Sequence, residues 1–146
     1  MGRQIAISDI HGCAATFQRL VTEVVALTKN DSLYLLGDYI NKGPNARGVL
    51  DFIFALQSMG FRVFLLRGNH EQYLIDALKF PDKENTFLLA GGNKTLESFG
   101  VPSVFEIPKE YLDFIQGLPF YIKLEKYILV HAGFNFELDN PFSDQH

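Results

Sequence analysis

Tryptophan is absent from these 146 residues, and cysteine occurs once, as Cys13. A single thiol excludes an intrachain disulfide and agrees with a reducing compartment. The missing indole carries no functional reading. Long apolar runs are also lacking; none approaches the roughly 20 residues of a membrane-spanning helix. The opening Met1-Gly2-Arg3-Gln4 leads into an apolar run that Asp9 and His11 interrupt. That run is too short and too polar for the apolar region of a signal peptide, so a cytoplasmic protein without membrane contact is expected. Excess positive charge is lacking as well. The formal net charge of -4 argues against a nucleic-acid partner, while a small basic pocket is compatible with it. There is no repeat, low-complexity tract or linker. A hydrophobic fraction of 47% with 21% charged residues is ordinary for a globular chain, and one domain over residues 1–146 is expected.

What is present is an alternation of apolar patterns. Gln4 to Ser8 reads as a short strand. From Ala14 to Thr28, Phe17, Leu20, Val21, Val24 and Leu27 recur at helical spacing. After a turn at Asn30-Asp31, Ser32 to Leu36 reads as a buried strand. Pro44 suits the first turn of a helix, where its missing N–H is not needed. Val49, Ile53, Leu56 and Met59 give that helix its inward face, and Gly60 ends it. Phe61 to Leu66 is a third strand, and Asn69 to Lys79 a helical turn or short helix. Pro81 to Asn85 is a polar loop, and Leu88 to Phe99 is helical on both sides of Gly91-Gly92. Pro108 to Leu118 is helical with Leu112, Ile115 and Leu118 inward. Phe120 to Leu124 and Tyr127 to Val130 form a hairpin around Glu125-Lys126. This order predicts an α/β fold with parallel neighbouring strands. Ligands of such sheets sit at the carboxyl ends of the strands. The loops after Ser8, Leu36, Leu66 and Val130 therefore share one crevice.

Those loops hold most of the unusual polar residues. They are Asp9-Ile10-His11-Gly12, then Gly37-Asp38-Tyr39-Ile40-Asn41-Lys42-Gly43, then Arg67-Gly68-Asn69-His70-Glu71, then His131-Ala132-Gly133. Carboxylates, imidazoles and an amide are ligands for hard-to-borderline divalent metals. Each loop alone has an ordinary reading as a solvated turn, a helix cap or a hydrogen-bonded structural histidine. Four such loops, each following an apolar strand, are hard to attribute to coincidence.

Together they resemble the signature of calcineurin-like metallophosphoesterases, in particular the phosphoprotein phosphatase branch of bacterial and phage type. That signature runs Asp-x-His-Gly, Gly-Asp-x-x-Asp-Arg-Gly, Gly-Asn-His-Glu and His-Gly/Ala-Gly. The resemblance covers residues 5 to 133 and is most specific at Asp9–Gly12 and Gly68–Glu71. It implies a β-sandwich flanked by helices, in four α/β/β/α layers. It also implies two divalent ions, whether manganese, iron or zinc. Asp9, His11 and Asp38 would hold the first, and Asp38, Asn69 and His131 the second. His70 would be the general acid, with Asn41 beside it, and Arg67 and Lys42 would bind phosphate. The activity implied first is that of a serine/threonine phosphatase acting on phosphorylated proteins, with small phosphoesters as lesser substrates. Dinucleoside polyphosphate hydrolysis is the enzymatic alternative, and a degenerate metal- or phosphate-binding module the non-catalytic one.

Three departures bear on that choice. Asn41 stands where the signature has Asp. Its oxygen could accept the imidazole N–H, or its NH₂ could face the ring and select the other tautomer. Lys42 replaces an Arg and cannot grip phosphate at two points. The signature's further Gly-His is not found before His146. A chain incomplete at its C-terminus is therefore expected, with His146 a poor substitute ligand and exposed apolar surface open to self-association.

Overall fold

The computed structural model describes residues 2–142, so His146 lies outside the described residues. Strands β1 (Gln4–Ile7), β2 (Ser32–Leu35) and β3 (Arg62–Leu65) form one parallel sheet in that order. Ile7 pairs with Leu35 and Leu35 with Leu65, so the three chains leave the sheet at one level. Pairing continues one rung further, with the Leu36 N–H on the Ile7 carbonyl and the Leu66 N–H on the Leu35 carbonyl, both at 2.9 Å. The central strand buries Leu33 and Leu35 completely, as a strand covered on both faces should. A separate antiparallel pair, β4 (Tyr121–Lys123) and β5 (Ile128–Val130), is the expected hairpin.

The first helix departs from its expected length. α1 spans only Ala14–Arg19 and passes into a π-turn over Leu20–Val24. The wider turn shifts the phase of the side chains. Phe17 and Val21 stay buried, but Val24 is 76% exposed. α2 (Ala46–Ser58) starts after Pro44, because Asn45 caps it by accepting the Gly48 N–H at 2.8 Å. Val49, Ile53 and Leu56 enter the core, whereas Met59 lies past the last turn and is exposed. α3 spans Asn69–Lys79, as expected. The stretch read as a polar loop is instead a 3-10 turn, Pro81–Lys83, followed by α4 (Glu84–Phe87). A π-turn over Leu88–Gly92 leads into α5 (Asn93–Phe99), with a break at Gly91, whose φ is 91°. α6 covers Lys109–Gln116. α2 packs on α1, α5 and β3, and α3 on α4 and α6. Among the described residues no helix is long and apolar enough to cross a membrane.

One clasp fixes the strand starts, at the opposite end of the sheet from the four loops. Buried Asp31 accepts two bonds from the Arg3 guanidinium, at 3.2 and 2.7 Å, and one from the Arg3 N–H at 2.9 Å. It also accepts the Thr28 N–H and hydroxyl, both at 2.9 Å. These donors, the guanidinium foremost, hold the Asp31 carboxyl well below the usual carboxylate range. A depressed pKa stabilises the fold fully above the unfolded value of about 3.9 and loses that effect as pH falls below it. Asp31→Asn should lower Tm at neutral pH, and the gap to wild type should narrow between about pH 4 and pH 2. Thermal denaturation across that range checks this; a constant gap would contradict it.

Candidate metal centre

The common exit level of the three strands brings Asp9, Asp38 and Asn69 to one edge, and β5 delivers His131 to the same place. Asp38, 4% exposed, is the hub. Its Oδ2 lies 3.5 Å from His11 Nε2 and 4.0 Å from His70 Nε2; its Oδ1 lies 3.4 Å from His131 Nε2. Among the described residues two groups could hold a cation, each with one ligand atom per residue and those atoms within 4.8 Å of one another. They are His11, Asp38 and His70, and Asp9, Asp38 and His131. Asn69 joins the second group, its Oδ1 being 2.9 Å from His131 Nε2.

The neighbours of the three imidazoles separate them. His11 Nδ1 lies 3.1 Å from the Ile40 carbonyl, and His131 Nδ1 lies 2.7 Å from the Leu36 carbonyl. A carbonyl oxygen only accepts, so in the neutral ring each Nδ1 carries the proton and Nε2 presents a lone pair. The Lys42 ammonium, which only donates, stands 3.3 Å from His11 Nε2 and agrees with that polarity. At His131, the Nε2 lone pair faces both Asn69 Oδ1 and Asp38 Oδ1, acceptor against acceptor. That donor set is chemically complete with a cation among them. His70 is the opposite case. Its Nδ1 faces the Asn41 NH₂ at 3.1 Å, and an amide nitrogen only donates. The His70 proton therefore sits on Nε2. Proximity groups His70 with His11 and Asp38, but an N–H cannot ligate, so the tautomer is the better guide. Burial, assisted by His11, Lys42 and His131 and opposed by Asp38, holds the His70 pKa below its ordinary value.

The backbone carries the cost of this convergence. Asp9, His11, Asp38, Asn41 and Lys42 all adopt positive φ, between 44° and 69°. Asp, Asn and His enter that region more readily than other non-glycine residues, whereas Lys does so reluctantly. Gly37 and Gly68 allow the second and third loops to touch: a Cβ on Gly68 would lie 2.2 Å from Asp38 Oδ1. The second loop is held against the third by Glu71, a residue read from the sequence only as part of a motif. Its fully buried carboxylate accepts the N–H groups of Asp38 and Tyr39 at 2.8 Å, Gly68 at 2.9 Å and Ile40 at 3.3 Å. Burial pushes its pKa up, against the pull of those donors.

The calcineurin-like phosphoesterase family matches residues 2–145. The chain belongs to that family. It is 32% identical over 132 residues to a symmetrical bis(5'-nucleosyl)-tetraphosphatase of Dechloromonas aromatica, covering 88% of the chain and 42% of the relative. A protein of the same name from Wigglesworthia glossinidia brevipalpis is 32% identical over 133 residues, covering 87% and 43%. The chain thus spans less than half the length of these curated relatives. A serine/threonine phosphatase structure from Saccharomyces cerevisiae superposes with a TM-score of 0.65 over 92% of this chain and 42% of that one. At 15% identity it supports the fold alone. The α/β metallophosphoesterase fold expected from the sequence is the one found; the described residues contribute the parallel sheet, its helices and the hairpin.

The phosphate-binding candidates are placed unequally. Lys42 reaches the centre through His11. Arg67 is engaged beside it, donating to Gln72 Oε1 at 2.9 Å and to the Gln116 carbonyl at 2.6 Å, with its guanidinium 4.4 Å from the centre of the Phe120 ring. It walls a cleft of about 230 Å³ that Asn69 and His131 also line. Glu71 could have been suspected from its place three residues into α3, where a Glu often bonds the N-terminal backbone. Glu71→Gln would turn an NH₂ toward backbone donors. We expect it to cost about 2–4 kcal/mol of stability in urea unfolding. A loss below about 0.5 kcal/mol would mean the four N–H groups have other partners.

Proposed function

We propose that this phosphoesterase is the metal-binding core of a hydrolase that cleaves phosphoanhydride bonds in dinucleoside polyphosphates. Asp9, His11 and Asp38 would hold one divalent ion, and Asp38, Asn69 and His131 a second. Ions bound there would neutralise phosphate charge and lower the pKa of a water. The names of the curated relatives support this substrate class. The observation that carries the reading is the Asn41 NH₂ on His70 Nδ1.

Its meaning lies in the leaving group. Phosphoserine departs as an alkoxide and needs a full proton from an acid. A neutral imidazole protonated at Nε2 can donate a hydrogen bond but is a poor acid. An Asp at position 41 would accept an Nδ1–H and stabilise the imidazolium. In the serine-protease arrangement, the same Asp-to-Asn exchange beside a catalytic imidazole costs about 10⁴ in turnover. A phosphoanhydride departs instead as a nucleoside polyphosphate, whose terminal oxygen titrates near pH ~6, as a phosphomonoester does. It leaves without a full proton. His70 Nε2–H then suffices as a hydrogen-bond donor to the departing oxygen, while Lys42 and Arg67 attract the phosphate chain. The phosphoprotein phosphatase reading needs the acid that Asn41 withholds.

The test compares diadenosine tetraphosphate with a phosphoserine peptide in the presence of manganese. We expect the tetraphosphate to be preferred. Asn41→Asp should raise turnover of the peptide by about tenfold or more relative to the tetraphosphate, part of the 10²–10⁴ that a positioned acid supplies. A wild-type preference for the peptide, or an equal response of both substrates, would sink the proposal.

A further inference from the structure

Asn41 does not choose its own orientation. We infer that Thr95 is a positioning residue of this site, fixing the Asn41 carboxamide and, through it, the proton of His70. Thr95 lies in α5, fully buried, and 54 residues from Asn41 in sequence. Its Oγ1 accepts the Asn41 backbone N–H at 2.9 Å and sits 2.8 Å from Asn41 Oδ1. A hydroxyl has one proton to give. One lone pair takes the backbone N–H, and the proton is directed at Oδ1. The carboxamide is pinned at its oxygen, and its NH₂ is left for His70 Nδ1.

The fold enforces this from both sides. Asn41 is 0% exposed, so bulk water is not in contact with its amide. The Gly91 carbonyl, just before α5, accepts the Lys42 N–H at 3.2 Å. A Cβ on Gly91, whose φ is positive, would lie 2.7 Å from Lys42 N, so only glycine permits that approach. Three residues after Thr95, Ser98 Oγ accepts the Arg47 N–H at 3.1 Å and donates to the Thr95 carbonyl at 2.8 Å. α5 and the turn before it therefore grip the segment from Asn41 to Arg47 at both ends, and Thr95 is where the grip reaches the chemistry. Without the hydroxyl, the carboxamide is free to turn its oxygen toward the ring, where it would accept a proton on Nδ1. His70 would then direct a lone pair at the centre and join His11 and His131 in kind.

This inference rests on the reading of His70 as a hydrogen-bond donor, but its primary test needs no turnover. The full chain, labelled with ¹⁵N-histidine and loaded with zinc, is examined by long-range ¹H–¹⁵N correlation, which distinguishes protonated from bare ring nitrogens. Wild type and Thr95→Ser should show His70 protonated at Nε2. Thr95→Val should show a population protonated at Nδ1, with His11 and His131 unchanged. Asn41→Asp should carry the proton on Nδ1 whichever residue stands at 95. A wild-type His70 protonated at Nδ1 overturns the inference, even if Thr95→Val does not fold. An unchanged ring in a folded Thr95→Val overturns it as well. Turnover of the tetraphosphate should fall at least tenfold in Thr95→Val, with KM little changed, and recover in Thr95→Ser. Should the ring switch while the tetraphosphate proves not to be a substrate, Thr95 keeps its role and only the substrate reading falls.

Discussion

The fully buried carboxylate of Glu71 is the constraint on which the site depends. It gathers the N–H groups of Gly68, Asp38, Tyr39 and Ile40, and so binds the loop after β2 to the loop after β3. The loop after β2 carries positive φ at Gly37, Asp38, Asn41 and Lys42, and its junction with Gly68 holds it in that shape. A charge taken out of water is tolerated only where donors satisfy it, and here satisfying it places Asp38. Tyr39 reinforces the junction, its hydroxyl lying 2.8 Å from the Leu35 carbonyl and 2.7 Å from that of Leu66. The parallel register brings the strand ends to one level, and Glu71 converts that level into a shared site.

Around Asp38 three histidines are chemically alike and electronically different. The difference comes from what each Nδ1 meets: a carbonyl for His11 and His131, an amide nitrogen for His70. Two rings therefore offer lone pairs and one offers a proton. That difference is set by groups one step removed from Asp38. It also links α5, remote in sequence, to the chemistry at the strand ends.

Much of this could be read from the chain. The strands and α3 are local patterns, and the four loops announce themselves by polar residues directly after apolar runs. The family signature then gathers Asp9, His11, Asp38, Asn69 and His131 into one place, where they are found. Other features were not legible because they are not local. Val24 has the right spacing for a buried face, but the π-turn that rotates it outward leaves no mark in an apolar count. Pro44 has the right chemistry for a helix start, yet Asn45 next to it makes the stronger cap. Thr95 is an ordinary residue within α5; only the folded contact gives it meaning. The direction of the Asn41 amide was open in the sequence, because a carboxamide presents a donor and an acceptor of nearly equal size.

The left-handed backbone at His11 and Lys42 has a consequence for how such a chain tolerates change. Glycine would occupy both positions with less conformational strain, since it alone visits positive φ freely. The residues proposed to serve the site are thus ones the local fold would exchange gladly. Selection for thermal robustness alone would drift toward Gly at these two positions and dismantle the centre while the sheet and helices stayed intact. The loops that carry the chemistry are where stability and activity ask for different amino acids.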